Sequence, residues 1–414
     1  MESFSRDFVY EKFCSFYRDS STVIPAPAVI NQREFGFLLF KGRVMMRHES
    51  VATTSDLKPF LGEIVPSDAY HSCAYYENPE ADMDKKGWLG ADLVFDIDAD
   101  HIPTSCDKIH DEWSCTNPKC MFSGKGITPE SCPVCGGQKF DAKSWPCERC
   151  IDSAKEETVK LVDILEKDFG FSDRELRVFF SGHRGYHVHV EAEDVKLLDA
   201  MARKEIVDYV YGLGLALFDE EQKENRKNRK GSQVFSLHDF GWNKRIKQGI
   251  RSFVLKATKE DLKNIGIKQN VEAVLKNKEA IAKQCMEENQ CTGVRGVGTE
   301  TWMKIAKHVK GVESAKIDTV VTTDIHRLIR MNGTLHGKTG LKKVEFPLTA
   351  LSDFDPFREA VAFKKGTVRV FVSSAPEFRL GENVFGPFKN KTAELSTAAA
   401  VLLVLKGRAE VVKE

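Results

Sequence analysis

The chain has 414 residues, 61 basic and 61 acidic side chains, a formal net charge of zero and an apolar fraction of 42%. That length exceeds what one hydrophobic core usually supports, so two or three structural units are expected, whether consecutive or inserted into one another. Balanced charge excludes a global field that draws the protein to nucleic acid, so any such binding has to come from local basic stretches.

In chain order, residues 1–10 carry charges and no long apolar segment, so no secretory signal is expected. The run Leu93-Val94-Phe95-Asp96-Ile97-Asp98 then places two carboxylates two positions apart in an apolar stretch. In a strand, residues i and i+2 point to the same side, so Asp96 and Asp98 share a face. Carboxylates held that close repel unless a cation lies between them, and magnesium or manganese is the hard ion that such oxygen ligands take. The pair therefore points to nucleotidyl or phosphoryl transfer, the alternative being a solvated strand end beside a turn.

Seven of the eleven cysteines fall between Cys106 and Cys150, in the spacings Cys115-x4-Cys120, Cys132-x2-Cys135 and Cys147-x2-Cys150, with Cys106-x3-His110 before them. Paired cysteines on short turns carrying glycine or proline present thiolates to tetrahedral zinc, and eight ligand candidates suffice for two sites. The preferred division groups Cys115, Cys120, Cys132 and Cys135 in an inserted ribbon, and Cys106, His110, Cys147 and Cys150 at its base; other pairings remain open. With all four positions filled by protein, such zinc is structural. Cys14, Cys73, Cys285 and Cys291 lie apart and read as core or surface residues.

Downstream, Val159, Val162, Leu165 and Phe169, with Leu161 and Ile164 beside them, predict an amphipathic helix ending at Gly170. Two strands follow, Leu176-Arg177-Val178-Phe179-Phe180 and Tyr186-His187-Val188-His189-Val190, joined by Ser181-Gly182-His183-Arg184-Gly185. The turn gathers a hydroxyl, a guanidinium and imidazoles. Ser181, Arg184 and His187 suit a polyanionic phosphate, and His189 reads equally as a packed strand histidine. From about 201 to 315 the pattern is helical, with basic clusters at Arg226-Lys227-Asn228-Arg229-Lys230 and Lys244-Arg245-Ile246-Lys247 that read as solvated faces. Asp318 then stands in a short extended stretch, and Thr322-Thr323-Asp324 offers a helix cap. His326-Arg327-Leu328-Ile329-Arg330 precedes Gly333-Thr334-Leu335-His336-Gly337-Lys338-Thr339-Gly340. Residues 397–405 predict a packed closing helix, and the longest apolar stretch there, 398–405, is too short to span a bilayer. An intracellular protein with no membrane association is expected.

Three blocks in this order, Phe95-Asp96-Ile97-Asp98, Ser181 to His187 and Asp318 to Gly340, resemble the catalytic small subunit of archaeal and eukaryotic DNA primases. Arg33-Glu34-Phe35-Gly36-Phe37 and Met46-Arg47-His48 resemble a further block of that family near its active site. The resemblance implies that Asp96, Asp98 and Asp318 hold two magnesium or manganese ions. It implies that Ser181, His183, Arg184, His187, Arg330 and His336 orient the nucleotide phosphates, with Arg47 and Lys338 extending the basic surface.

The same resemblance implies an α/β catalytic core with a mixed or antiparallel sheet, built from 1–200 and 316–414. That core is interrupted by a zinc-binding insertion at 106–150 and a helical subdomain at 201–315. The implied activity is synthesis of short RNA, or also DNA, primers on single-stranded DNA from NTPs or dNTPs, in a heterodimer with a large subunit; in an archaeal cell the location is the cytoplasm or nucleoid. His183 departs from the family's usual arginine, which makes one phosphate contact weaker or dependent on pH. The ribbon is longer than the family's minimal zinc motif. A primase-related repair polymerase, a metal-dependent nuclease and a non-catalytic zinc protein that binds nucleic acid are the alternative readings.

Overall fold

Apolar β-formers at 93–97, 176–180 and 186–190 assemble one four-stranded sheet, in the order Val344–Phe346, Leu176–Phe180, Gly185–Val190, Leu93–Asp98. In this computed structural model, which describes residues 3–40, 42, 44–215, 240–287 and 294–413, all of Gly185–Val190 is buried. Covered on both faces, that strand reads as a nearly continuous apolar run broken only by histidines. Its register is decisive for the site, because Gly185 lies opposite Asp98 and His187 opposite Asp96. A second four-stranded sheet runs Leu328–Arg330, Pro66–Ser72, Phe35–Leu39, Met45–Glu49. Every strand pair among the described residues is antiparallel, which decides between the mixed and antiparallel expectations.

Between 106 and 150 the chain builds a small sheet of Ser123–Lys125, Glu112–Cys115 and Phe140–Lys143. Trp113 packs there against Phe122 and Phe140, a core of three rings where chain length allows little else. The helix Glu148–Lys167 starts inside the last cysteine pair. Ile151, Ala154, Thr158, Leu161, Ile164 and Leu165 are buried along it, the i, i+3, i+4 stripe of a core-facing helix. Val159, expected on the apolar face, is instead 42% exposed. It sits one position off that stripe, and the wider set through Leu161 and Ile164 decides which side turns inward. The helix Thr397–Leu405 is buried along almost its whole length, as its unbroken apolar sequence requires.

Two compact units divide the chain: residues 1–159, 171–204 and 316–414 form one, 160–170 and 205–315 the other. The second is helical and packs Trp242, Ile246, Ile250, Val254, Ile281, Trp302, Ile305 and Val309 into its core. There the expectation of a solvated face at Lys244-Arg245-Ile246-Lys247 is corrected, since Arg245, Ile246 and Lys247 are buried and only Lys244 is exposed. Arg245 donates to Asp163 at 2.6 Å and to Asp168 at 2.7 Å, and that pairing offsets the desolvation of its charge. The cluster from Arg226 to Lys230, and Cys291, lie outside the described residues.

Candidate active site and zinc clusters

Asp96 and Asp98 end the Leu93–Asp98 strand, and the third carboxylate reaches them through the backbone: the N–H of Asp318 donates to the Asp96 carbonyl at 2.8 Å. Asp318 is the N-cap of the helix Thr319–Thr323, its carboxylate accepting from the Val320 N–H at 2.9 Å. The segment Thr322-Thr323-Asp324 does supply a helix cap, at the C-terminal end, with Asp324 as the C-cap. Those residues close the helix that Asp318 opens, and Asp324 accepts from the His326 N–H at 3.0 Å in the turn beyond.

Burial, then the neighbouring charges of Asp98 and Asp318, push the Asp96 carboxyl up to about 7. Burial also raises Asp98, against the opposing pull of Arg184. Like charges confined in this way are relieved by a cation, and the donors are all hard oxygens, so the set suits magnesium or manganese. Potential ligand atoms of Asp98, Asp100 and His183 lie within 4.8 Å of one another, a grouping that does not include Asp96 or Asp318. Asp100 extends the Asp96-x-Asp98 spacing by two positions but is not singled out by the sequence reading. It follows Asp98 in a 3-10 turn in which its N–H donates to the Asp98 carboxylate at 2.9 Å.

The hairpin turn at 181–184 is held against Asp98 by close backbone approach, for a Cβ at Gly185 would run into the Ile97 carbonyl. Ser181 Oγ accepts from the N–H groups of His183 at 3.3 Å and Gly185 at 3.2 Å, so this hydroxyl shapes the turn. Arg184, only 2% exposed, is ion-paired to Asp100 and to Asp111, the latter at 2.6 Å, and donates to the Trp145 carbonyl. The His183 ring stacks on His336 with centroids 5.0 Å apart, and its Nε2 meets Lys406 Nζ at 2.8 Å. Burial, Lys406 and His336 hold His183 well below the usual imidazole range. Its ring is thereby biased towards the neutral form. His187, 3.5 Å from Asp96, is likewise held low by burial and Lys343. His189 packs between His187 and Phe179.

The third block folds as a turn over this hairpin. Thr339 Oγ1 donates to the Gly182 carbonyl at 2.6 Å, and the Gly337 N–H donates to Asp68 at 2.9 Å. Arg330, expected to face phosphate, has its guanidinium committed to Asp68 at 2.7 Å, to the Leu335 carbonyl and to the Tyr70 hydroxyl. It holds the segment that presents His336 and the exposed Lys338. Arg47 pairs with the buried Glu34 at 3.1 Å. Asp68, Asp100, Asp111 and Lys406 escaped the sequence reading because each stands outside a motif. Asp111, directly after His110, and Asp100, two positions beyond Asp98, did leave a local trace.

Both cysteine clusters form as grouped from the spacings: Cys106, His110, Cys147 and Cys150 in one, Cys115, Cys120, Cys132 and Cys135 in the other. Sulfur atoms stand 3.5 Å apart for Cys106 with Cys147 and with Cys150, 3.6 Å for Cys115 with Cys135 and 3.7 Å for Cys120 with Cys132. Those separations approach the edge of a tetrahedron of thiolates around zinc, about 3.8 Å, so the clusters fit that ion. His110 turns Nε2 to the sulfurs, 3.6 Å from Cys150, while Nδ1 meets the Asp111 carboxylate at 2.7 Å. That carboxylate also accepts from the Trp145 N–H at 3.0 Å. Asp111 thus joins the histidine of the first cluster to Arg184.

Paired half-buried carboxylates at a strand end, beside a glycine turn rich in basic groups and tied to a third aspartate, are the side-chain set of a nucleotidyltransferase. Residues 141–349 match the DNA primase small subunit family. The chain is 32% identical to the DNA primase small subunit PriS of Methanothrix thermoacetophila over 99% of this chain and 100% of that protein. It is 33% identical to that of Cenarchaeum symbiosum over 96% of each chain, and 33% identical to that of Halorubrum lacusprofundi over 99% of this chain and 98% of the other. The protein belongs to the DNA primase small subunit family and is a DNA-directed nucleotidyltransferase of replication. No described helix is long and apolar enough to cross a membrane.

Proposed function

We propose that the chain makes short primers on single-stranded DNA from nucleoside triphosphates, with Asp96, Asp98 and Asp318 holding two magnesium or manganese ions and Asp100 beside them. Bound there, the ions sharpen the attacking 3′ hydroxyl and offset charge on the departing pyrophosphate. The protein's own part is positioning and electrostatics, with no covalent intermediate. Arg184, braced by Asp100 and Asp111, lends positive charge beside Asp98, and neutral His183 and His336 supply ring nitrogens to phosphate oxygens. Neutral His187 stands against the Asp96 carboxylate, and Ser181 and Arg330 keep the hairpin and the His336 turn in place.

Zinc in the two cysteine clusters is structural, and 106–150 forms an insertion in the core that 1–200 and 316–414 build, with 201–315 as a helical subdomain. A large subunit completes the working heterodimer inside the cell, and both NTPs and dNTPs are candidate substrates. The observation that carries the reading is the register setting Gly185 opposite Asp98 while Asp318 is bonded to the Asp96 backbone. The test is synthesis on unprimed single-stranded DNA with labelled nucleotides and magnesium or manganese, alone and with a large subunit. Short products from wild type and none from Asp98→Ala are expected. Extension only of supplied primers would move the activity to a repair polymerase, and degradation without incorporation to a nuclease.

A further inference from the structure

Lys406 enters the site from the far end of the sequence, and its root is fixed. It caps the C-terminus of the buried Thr397–Leu405 helix. The Gly407 N–H donates to the Val404 carbonyl at 3.0 Å and the Arg408 N–H to the Leu403 carbonyl at 2.8 Å, with Gly407 at φ 64°. That is the double bond of a Schellman closure, and it pins the backbone from which the side chain leaves.

The ammonium group at its tip is poorly accommodated by the protein itself. Its one hydrogen-bond partner among the described residues is His183 Nε2, at 2.8 Å, and no carboxylate among them pairs with it. A ring nitrogen that accepts from an ammonium must be unprotonated, in keeping with the neutral state of His183. Burial, then the charges of Arg184 and Lys338, push the Lys406 amine down to about 7, with Asp111 and Asp98 pulling weakly the other way. The His336 ring stacks on a face of the same His183 ring, with centroids 5.0 Å apart. Basic groups from three separate parts of the chain, the hairpin turn, the His336 segment and the terminal helix, therefore converge on one place. A helix C-terminus favours a cation, but that effect is met equally well by a lysine pointing into water.

We propose that Lys406 is a phosphate-contacting residue of this enzyme, which leaves His183 to donate to the polyphosphate tail of the incoming nucleoside triphosphate. The assignment rests on the nucleotidyl-transfer reading and names one more residue of that site. His183, released from the ammonium, takes the tautomer that carries its one ring proton on Nε2 instead of Nδ1, and that nitrogen then donates to the ligand. The ammonium, on a half-buried side chain with Arg184 and Lys338 as charged neighbours, is placed for a polyanion and is stabilised by one.

The test is the pair Lys406→Met and Lys406→Arg in the full-length chain, read by binding of a non-hydrolysable nucleoside triphosphate, binding of the matching monophosphate, and urea unfolding without nucleotide. Methionine keeps the stem and removes the charge. The expected result for Lys406→Met is triphosphate affinity roughly 10- to 100-fold weaker, the loss of a charge-assisted hydrogen bond. Monophosphate affinity should change less, and the unfolding midpoint should stay equal or rise because a repelled, half-buried charge has gone. Lys406→Arg should recover most of the triphosphate affinity. A purely structural lysine gives the reverse pattern, a lower midpoint with wild-type affinity, and that result overturns the assignment. If Lys406→Met does not fold, triphosphate affinity in Lys406→Arg at the wild-type level supports the contact, and a fall to the monophosphate level overturns it. Wild-type protein that bound no triphosphate would overturn the nucleotidyl-transfer reading itself, and this residue's role with it.

Discussion

The backbone N–H of Asp318 donates to the carbonyl of Asp96 at 2.8 Å. One hydrogen bond thus fixes where the last carboxylate stands relative to the first, although most of the chain lies between them in sequence. The same residue opens the Thr319–Thr323 helix with its side chain. Asp318 has two functions, one of which asparagine can perform and one of which it cannot.

Asp318→Asn should therefore leave the fold in place, since asparagine caps a helix about as well as aspartate. Nucleotide incorporation should fall by roughly 100-fold or more, the scale of losing one preorganised charge in an active site. Urea unfolding and primer synthesis measured on the same preparation check both halves. Near-normal synthesis would remove Asp318 from the site.

Asp111 accepts from His110, Trp145 and Arg184 at once. In Asp111→Asn the zinc-ligand histidine loses its anionic partner, and zinc affinity should drop about 10- to 100-fold, as it does when such outer carboxylates are removed. Arg184 loses one of the two carboxylates that hold its guanidinium in place, so its position beside Asp98 loosens and the KM for nucleotide should rise in the same variant. Competition with a chromogenic chelator gives the first number and steady-state synthesis the second. An unchanged zinc affinity would show that Asp111 serves Arg184 alone.

Zinc stripped from the protein should loosen residues 106–150 before the sheets, because thiolate-bound metal supplies folding free energy that three packed rings around Trp113 cannot replace. Limited proteolysis before and after chelation should give new cuts confined to that segment. The same cleavage pattern in both states would mean that the small sheet holds without metal.

Stability should also depend on pH through Asp96. The folded chain binds this proton more tightly than the unfolded one, with the carboxyl raised from 3.8 to about 7. Asp96 therefore favours the folded state fully below 3.8 and withdraws that support as the pH rises through about 7. Buried His183, His187 and His336, held low, act in the opposite sense and cost stability as the pH falls below 6.5. The comparison that isolates Asp96 is wild type against Asp96→Asn, without divalent ions. The wild-type melting temperature should decline relative to the variant between about pH 4 and 7. Magnesium or manganese should abolish that decline, and a flat difference would mean that Asp96 is not strained by its neighbours.

Much of this protein is written locally. Alternation around Gly182 and Gly185 is enough to predict the strands at 176–180 and 186–190, since side-chain period and turn chemistry are properties of neighbouring residues. Cysteine spacing likewise carries the short-range pairs, because short knuckles bring their own sulfurs together, while the fold decided which pairs share a site, in the preferred division. The phase of the Glu148–Lys167 helix was less legible. Two overlapping apolar stripes differ there by a single residue, and the core against which Leu161 and Ile164 pack chose between them.

What tertiary structure alone decided is which charges are spent and which are free. In sequence Arg184 and Arg330 read as phosphate binders and Arg245 as part of a solvated face. In the fold Arg245 belongs to Asp163 and Asp168, Arg330 to Asp68, and Arg184 to Asp100 and Asp111. Lys406, with no motif around it, arrives beside His183 unpaired with any described carboxylate. A buried charge must find its counterion wherever the chain places one, and those partners come from segments remote in sequence, where no periodicity or spacing records the meeting.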